Sequence, residues 1–267
     1  MLVPLRDEAP YVEEALTSLS AQTFGDFEAI VVDDGSRDGS GELAEAHARR
    51  DARFRVVRTA PAGLVAAVER ARAEARAPLL ARMDADDVAL PERLEVQVRA
   101  LEAERLDACG GGIRYVAADG EEVTPGSRSY ERWVNGLVTP EAAARDVFVE
   151  CVLPNPALLV RRAAVEAAGG WRDCGWPEDY DLLLRLWARG ARFRNVEHVV
   201  LHWRQHGARE TRTSPVFSRE AFLRCRVHHL RETLLRGFDG AVVWGAGRVG
   251  KAFARELLRQ GGRCARS

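Results

Sequence analysis

Short continuous apolar runs alternate along the chain with stretches whose apolar residues recur every three or four positions. Leu2-Val3-Pro4 reads as the tail of a strand, and Pro10 to Leu19 carries Val12, Leu16 and Leu19 at helical spacing. Phe27 to Val32 predicts the next strand, Ser36 to Ser40 a turn that caps a helix through Arg49, and Phe54 to Val57 a third strand. Leu64 to Arg76 reads as a helix and Leu79 to Met83 as a fourth strand, before Leu90-Pro91-Glu92-Arg93 opens a helix reaching Glu104. Strands exchanging with helices predict an α/β fold with a Rossmann-like, mostly parallel sheet flanked by helices, and ligands at the carboxyl ends of its strands. The first strand is short, which suggests that it begins upstream of Met1.

The second half is less regular. Gly110-Gly111-Gly112 leads into a strand from Ile113 to Ala117, and Asp119-Gly120 is a hairpin-turn signal. Segment 121–150 reads as loop. Ala157 to Val160 predicts a short strand, and Arg161 to Ala168 a helix stopped by Gly169-Gly170. Pro177 to Ala188 has proline at its start, Glu178, Asp179 and Asp181 in its first turn, and Gly190 past its end, all marks of a helix. Segments 108–155 and 195–215 are the irregular ones, where specificity is expected. Pro215 to Arg236 predicts a helical linker. After it come a strand from Gly240 to Trp244, a glycine-rich turn over Gly245 to Lys251 and a helix from Ala252 to Leu258. The chain thus divides into a main domain over 1–214, made of two parts (1–107 and 108–214), a helical extension over 215–239, and an incomplete Rossmann-like unit over 240–267.

Composition narrows the class. A chain of 267 residues with 46% hydrophobic and 30% charged content can bury a sizeable core, and its formal net charge of −1 supplies no global field to recruit nucleic acid or an anionic membrane. Of the 39 basic residues only Lys251 is lysine. The cysteines are scattered without C-x-x-C spacing, so neither a disulfide framework nor a zinc site is expected. No apolar run reaches membrane-spanning length and no signal peptide precedes the first strand, which predicts a cytoplasmic protein with at most peripheral association at the inner membrane face.

Two strands end in acids. Ala29 to Val32 runs into Asp33-Asp34-Gly35-Ser36, and Leu79 to Met83 runs into Asp84-Ala85-Asp86-Asp87. A strand alternates its faces, so Asp84 and Asp86 point to the same side with only Ala85 between them. Two carboxylates facing one way repel each other unless a cation lies between them, and that spacing suits one divalent ion shared with substrate phosphates. The bland alternatives are a solvated Asp-Gly turn for Asp33 and Asp34, and helix capping before Pro91, which suits Asp87 better than the other two.

With these motifs in order, the chain resembles the family 2 glycosyltransferases of the GT-A fold, from Met1 to about Ser214, which implies a nucleotide-binding half over 1–107 and an acceptor half over 108–214. The resemblance rests on Pro4, Pro10-Tyr11, Ala21-Gln22-Thr23-Phe24, Val31 to Ser36 with Asp38-Gly39-Ser40, Arg82 to Asp87 with Leu90 to Leu94 and Gln97, Gly169-Gly170-Trp171, and Glu178 to Leu182. It implies an inverting transfer of a sugar from a nucleotide diphosphate sugar, with UDP expected, to a hydroxyl of a glycan or lipid-linked acceptor, in cell-surface polysaccharide or glycoconjugate synthesis. Pro4 and Asp34, with Asp33 beside them, correspond to base and ribose contacts. Asp84 corresponds to the ribose-side acid and Asp86 to the acid that holds Mn2+ or Mg2+. Asp179 stands at the general base, with Glu178 beside it on the substrate and Asp181 as the fallback. Two positions depart from the pattern: Arg6 stands where a base-stacking aromatic is frequent, and Glu69 where asparagine is common.

His206 resembles a histidine that often closes the phosphate site, which makes it a candidate for metal or phosphate contact; packing is the alternative. Trp171, Trp176 and Trp203 fit a core equally well, although near a sugar site a tryptophan such as Trp203 offers an apolar face to a pyranose ring. Two other enzyme classes share parts of the pattern. Asp84 to Val88 matches the D-x-D-x-V nucleophile motif of haloacid-dehalogenase-like phosphatases, but these need a later lysine and only Lys251 exists. A sugar-nucleotide pyrophosphorylase needs a basic glycine-rich loop after its first strand, and residues 4–14 offer none. A degenerate nucleotide- or glycan-binding module is the non-enzymatic alternative. Gly245 to Lys251 fits G-x-G-x-x-G and also G-x-x-x-x-G-K, but Ala252 replaces the Ser or Thr of a P-loop, and no second strand with an acidic residue is expected after it.

Overall fold

The computed structural model describes residues 1–118, 120–245 and 247–266. Its first layer is a parallel sheet of β1 (Leu2–Leu5), β2 (Ala29–Asp33) and β3 (Phe54–Arg58), wrapped by α1 (Val12–Ser20), α2 (Ser40–Ala48) and α3 (Leu64–Glu74). Strand β4 (Leu79–Ala81) follows. A parallel bridge between Leu2 and Arg82 joins this sheet to a second one, in which β4 pairs antiparallel with a later strand. Alternation explains the apolar runs: Leu2, Ile30 and Val32 enter one hydrophobic cluster while Val3, Leu5 and Val31 enter the other. A strand buried on both faces has no polar side to show, so it reads as continuous hydrophobic sequence.

The second sheet and its helices are built on β5 (Val88–Ala89), α4 (Arg93–Ala103), β6 (Ala108–Ala117), α5 (Pro125–Asn135), α6 (Pro140–Asp146), β7 (Leu159–Arg161), α7 (Arg162–Ala168), α8 (Glu178–Ala188) and β8 (Phe193–Gln205). Its sheet runs β4-β7-β6-β8-β5 and is mixed, with β6 and β8 parallel and the other pairs antiparallel. Several expectations change here. Gly110 to Gly112 lie inside β6, because that strand passes so close to β8 that a Cβ on Gly110 would meet Asn195 Oδ1 at 2.1 Å. The segment 195–215, expected to be irregular, is β8 as far as Gln205 and then turn and a short helix over Glu210–Thr213. Segment 121–150 holds two helices, each started by a Thr-Pro pair: Thr124 accepts a hydrogen bond from the Ser127 N–H and Thr139 from the Ala142 N–H. The predicted strand over 157–160 is a 3-10 turn over Asn155–Ala157 and then β7. The proposed Asp119-Gly120 turn includes Asp119, which lies outside the described residues, and the chain beyond β6 leads into α5 rather than a return strand.

After α9 (Glu210–Thr213), the segment from Pro215 read as a linker is a 3-10 turn over Pro215–Phe217 and then α10 (Arg219–Glu232), which is docked on the body. Ala221, Cys225, Val227 and His229 of α10 are buried, and His229 Nε2 lies 2.9 Å from Asp181 Oδ1 on α8. Beyond it, β9 (Ala241–Val243), α11 (Arg248–Arg259) and β10 (Cys264–Arg266) form a right-sized β-α-β unit in which the two strands pair in parallel. This corrects the expectation that β9 has no partner strand. The acidic residue of a dinucleotide site is still missing from Cys264–Arg266, and Ala246 of the glycine turn lies outside the described residues. No helix among the described residues is long and apolar enough to cross a membrane.

Candidate functional site

Where the two sheets meet, the carboxyl ends of β1 and β4, the start of α8 and the segment after β8 enclose a cavity of about 800 Å³. Pro4, Arg6, Asp34, Asp84, Asp86, Glu178, Asp179 and Trp203 all line it, so residues from both halves converge as the sequence implied. Asp33 does not line it. Its carboxylate is turned to its own loop, accepting from the Ser36 N–H at 2.9 Å, and is paired with Arg58 at 3.2 Å. Gly35 makes that loop possible: its φ is +72° and a Cβ there would strike Pro61 at 2.5 Å.

Asp34 is buried under the rim, accepting from the N–H groups of Ala62 at 2.6 Å and Gly63 at 2.8 Å and from Arg6 at 3.2 Å. It therefore fixes the loop that leads into α3 and orients Arg6, whose side chain is half exposed. Glu69, the other departure from the family pattern, faces away. It pairs with Arg72 and accepts from the Trp171 N–H at 2.8 Å, tying α3 to the Gly169-Gly170-Trp171 turn.

The acids after β4 lie beyond the strand, which ends at Ala81, in a turn closed by an Asp87 N–H to Asp84 carbonyl bond. Their convergence thus comes from the turn, and strand alternation does not produce it. Asp84 is partly exposed and sits 2.5 Å from the buried guanidinium of Arg82. Asp86 is buried and its Oδ2 lies 2.9 Å from His206 Nε2. Burial alone would raise the Asp86 pKa, but the His206 hydrogen bond and the Arg209 charge hold it below the usual carboxylate range. Asp87 is fully buried and is pushed well above that range by burial and by the Asp86 charge. Its Oδ1 accepts from the Arg204 N–H, and its buried Oδ2 has no hydrogen-bond partner among the described residues. His206 does not line the cavity directly; its ring packs 4.9 Å from Tyr11.

Across the cavity, α8 presents Glu178 and Asp179 from its first turn. Burial, reinforced by the charge of Asp179, pushes Glu178 up to about 8, where it accepts from Asn155 Nδ2 at 3.1 Å. Asp179 is pushed up by burial to about 6, with the bond from the Tyr180 N–H and the Arg82 charge opposing the rise. Asp181 is excluded as a fallback base. It is buried on the far side of α8 and is saturated by Trp176 at 3.0 Å, Arg185 at 2.8 Å and His229 at 2.9 Å. Trp203 forms an aromatic wall with Tyr115, ring centroids 5.1 Å apart and nearly parallel, and the Arg209 guanidinium lies over the Trp203 ring at 5.2 Å.

Sequence reasoning missed Glu8, Arg82, Tyr115 and Arg209. Arg82 had a signal, since a charged residue between Ala81 and Met83 in an apolar strand needs a buried partner. Arg209 had none, because its position 3.8 Å from Asp84 and 3.9 Å from Asp87 depends on how the chain returns after β8. Glu8 lines the cavity and is pushed to about 8 by burial and by the charges of Asp86 and Asp84. The donor set is chemically suited to Mn2+ or Mg2+: hard carboxylate oxygens, one imidazole, and acids held close together with a buried carboxylate oxygen left unpaired. No lysine lines the cavity; Lys251 is exposed on α11, which removes the phosphatase reading.

A parallel sheet tipped with acids and joined to a mixed second sheet is the architecture of the GT-A glycosyltransferases. The chain belongs to glycosyl transferase family 2, whose family model matches residues 1–168. Among curated proteins it is 48% identical over 67 residues to the uncharacterized glycosyltransferase EpsJ of Bacillus subtilis, covering 25% of this chain and 20% of that one. It is also 39% identical over 57 residues to the glycosyltransferase GlyG of Streptococcus pneumoniae, covering 21% and 19%. The chain thus spans about a fifth of the length of these relatives in the matches. Its fold is similar to that of S. aureus TarS in complex with UDP-GlcNAc (TM-score 0.69, 18% identity, 98% of this chain and 72% of that one). It is also similar to the mannosyltransferase PcManGT of Pyrobaculum calidifontis in complex with GDP-Man and Mn2+ (TM-score 0.60, 18% identity, 97% and 69%).

Proposed function

We propose that the protein transfers a sugar from a nucleotide diphosphate sugar, UDP-linked, to an acceptor hydroxyl with inversion at the anomeric carbon. The observation that carries this reading is the shared cavity: Asp84 and Asp86 approach it from the nucleotide half and Asp179 from the acceptor half. Asp179 would accept the hydroxyl proton as the acceptor oxygen bonds to the anomeric carbon and the bond from that carbon to the diphosphate oxygen breaks. The bond electrons leave with the nucleoside diphosphate, and a single displacement needs no enzyme nucleophile. A base pushed up to about 6 by burial is ionised at neutral pH yet basic enough to take the proton as it is released.

Asp86, with His206, would hold the divalent cation, which when bound neutralises charge on the departing diphosphate, while Asp84 would meet the ribose. Asp34 and Arg6 would meet the base and ribose, and Trp203 with Tyr115 would give a sugar ring an apolar face. The relatives' names support glycosyl transfer in the same family, and the nucleotide sugars held by TarS and PcManGT support the donor class. The anomeric configuration of the product, read from NMR coupling, tests the mechanism; retention would overturn it. A panel of nucleotide sugars scored by hydrolysis and thermal shift tests the donor, and stabilisation by GDP- or CDP-sugars alone would overturn the choice of UDP.

A further inference from the structure

Resting on that reading, we propose that Glu8 is a third protein ligand of the divalent cation, which sits on the Glu8, Asp86 and His206 side of the acid cluster. Two groups of donors share Asp86. One is Asp84, Asp86 and Asp87; the other is Glu8, Asp86 and His206, whose donor atoms all lie within 4.8 Å of one another.

Charge balance separates the two seats. Asp84 already has the Arg82 guanidinium at 2.5 Å and Arg209 at 3.8 Å, while Asp87 has the Arg204 N–H at 2.8 Å and Arg209 at 3.9 Å. A cation entering there competes with two arginines. Glu8, in contrast, has no hydrogen bond or ion pair to its carboxylate among the described residues, yet it is partly buried beside Asp86. Its backbone is fixed: the Glu8 carbonyl accepts from the N–H groups of Tyr11 and Val12 at the start of α1, and the Glu8 N–H donates to Ser40 Oγ at 3.4 Å. A rigidly placed carboxylate facing a second one without a counter-charge is what a cation would balance. The set of two carboxylates and one imidazole leaves positions for diphosphate oxygens and water, and its nitrogen donor favours Mn2+ over Mg2+.

The test is a Mn2+ titration of the full chain in the presence of UDP, with free Mn2+ read by electron paramagnetic resonance. Glu8→Gln and Asp86→Asn are each expected to weaken Mn2+ binding by about tenfold or more. Metal-free UDP affinity should stay at the wild-type value. In EDTA the Glu8→Gln protein should melt no lower than wild type, since the amide keeps the shape of the side chain and adds no charge. Glu8→Lys is the second variant, placing an ammonium in the seat, and should abolish Mn2+ binding. Wild-type Mn2+ affinity in the Glu8 variants, with affinity lost only in Asp86→Asn, overturns the assignment of Glu8 and leaves the cation site standing. Wild-type affinity in every variant overturns both.

Discussion

His206 Nε2 lies 2.9 Å from Asp86 Oδ2, joining two residues 120 positions apart across the turn after β4 and the end of β8. The end of β8 is thereby tied to the turn after β4, so the acid expected to hold the cation is oriented by a residue from the other half of the fold. His206→Ala frees Asp86 to turn and removes a nitrogen donor. Calorimetry should show Mn2+-dependent UDP binding weakened by roughly ten- to a hundredfold, with metal-free binding unchanged. An unchanged metal-dependent affinity would reduce His206 to a packing residue.

Asp179→Asn should spare UDP binding and lower transfer by roughly a hundred- to ten-thousandfold. In the wild type the base works only when ionised, so the transfer rate should fall as pH drops through about 6 and level off above it. The pH profile of kcat/KM with and without the substitution checks both statements.

Glu178 is held protonated by burial to about 8, whereas its ordinary value is 4.5. Between these two pH values the unfolded chain loses the proton and the folded one keeps it, so wild-type stability falls as pH rises through this window. Glu178→Gln abolishes that loss. Its stability relative to wild type, measured by urea denaturation, should therefore increase steadily from pH 5 to pH 8.

Arg82→Met removes the cation from a buried pair and leaves Asp84 beside Asp86 and Asp87 without it. We expect a loss of about 3 kcal/mol in urea unfolding, and a pH profile for transfer displaced upward because Asp179 loses a charge that favours its ionised form.

Truncation after Arg236 keeps α10 and should leave UDP binding and transfer intact. The β9-α11-β10 unit touches the body through α10, where Gln260 Nε2 donates to the Arg224 carbonyl and Arg231 donates to that of Gln260. Ending the chain before Arg219 instead uncovers Cys225 and Val227 and strips His229 from buried Asp181, so it should lower the melting temperature and yield of soluble protein. Equal stability of the two truncations would show that α10 is dispensable.

The sequence by itself determined the elements with local causes. Apolar runs and helical spacing located the strands and helices of the nucleotide half, because burial on both faces leaves a continuous apolar signature. The motifs ending in Asp34, Asp86 and Asp179 marked the residues that meet in the cavity. The two Thr-Pro helix starts after residue 121 were equally local but were hidden in a polar stretch. Tertiary structure alone decided the rest. It turned Asp33 to its own loop, saturated Asp181 behind α8, converted a presumed linker into a packed helix, and brought Glu8, Arg82 and Arg209 around the acids. Each of these depends on contacts between residues far apart in the chain, where orientation is set by the packing of whole elements and leaves no periodic trace in the sequence.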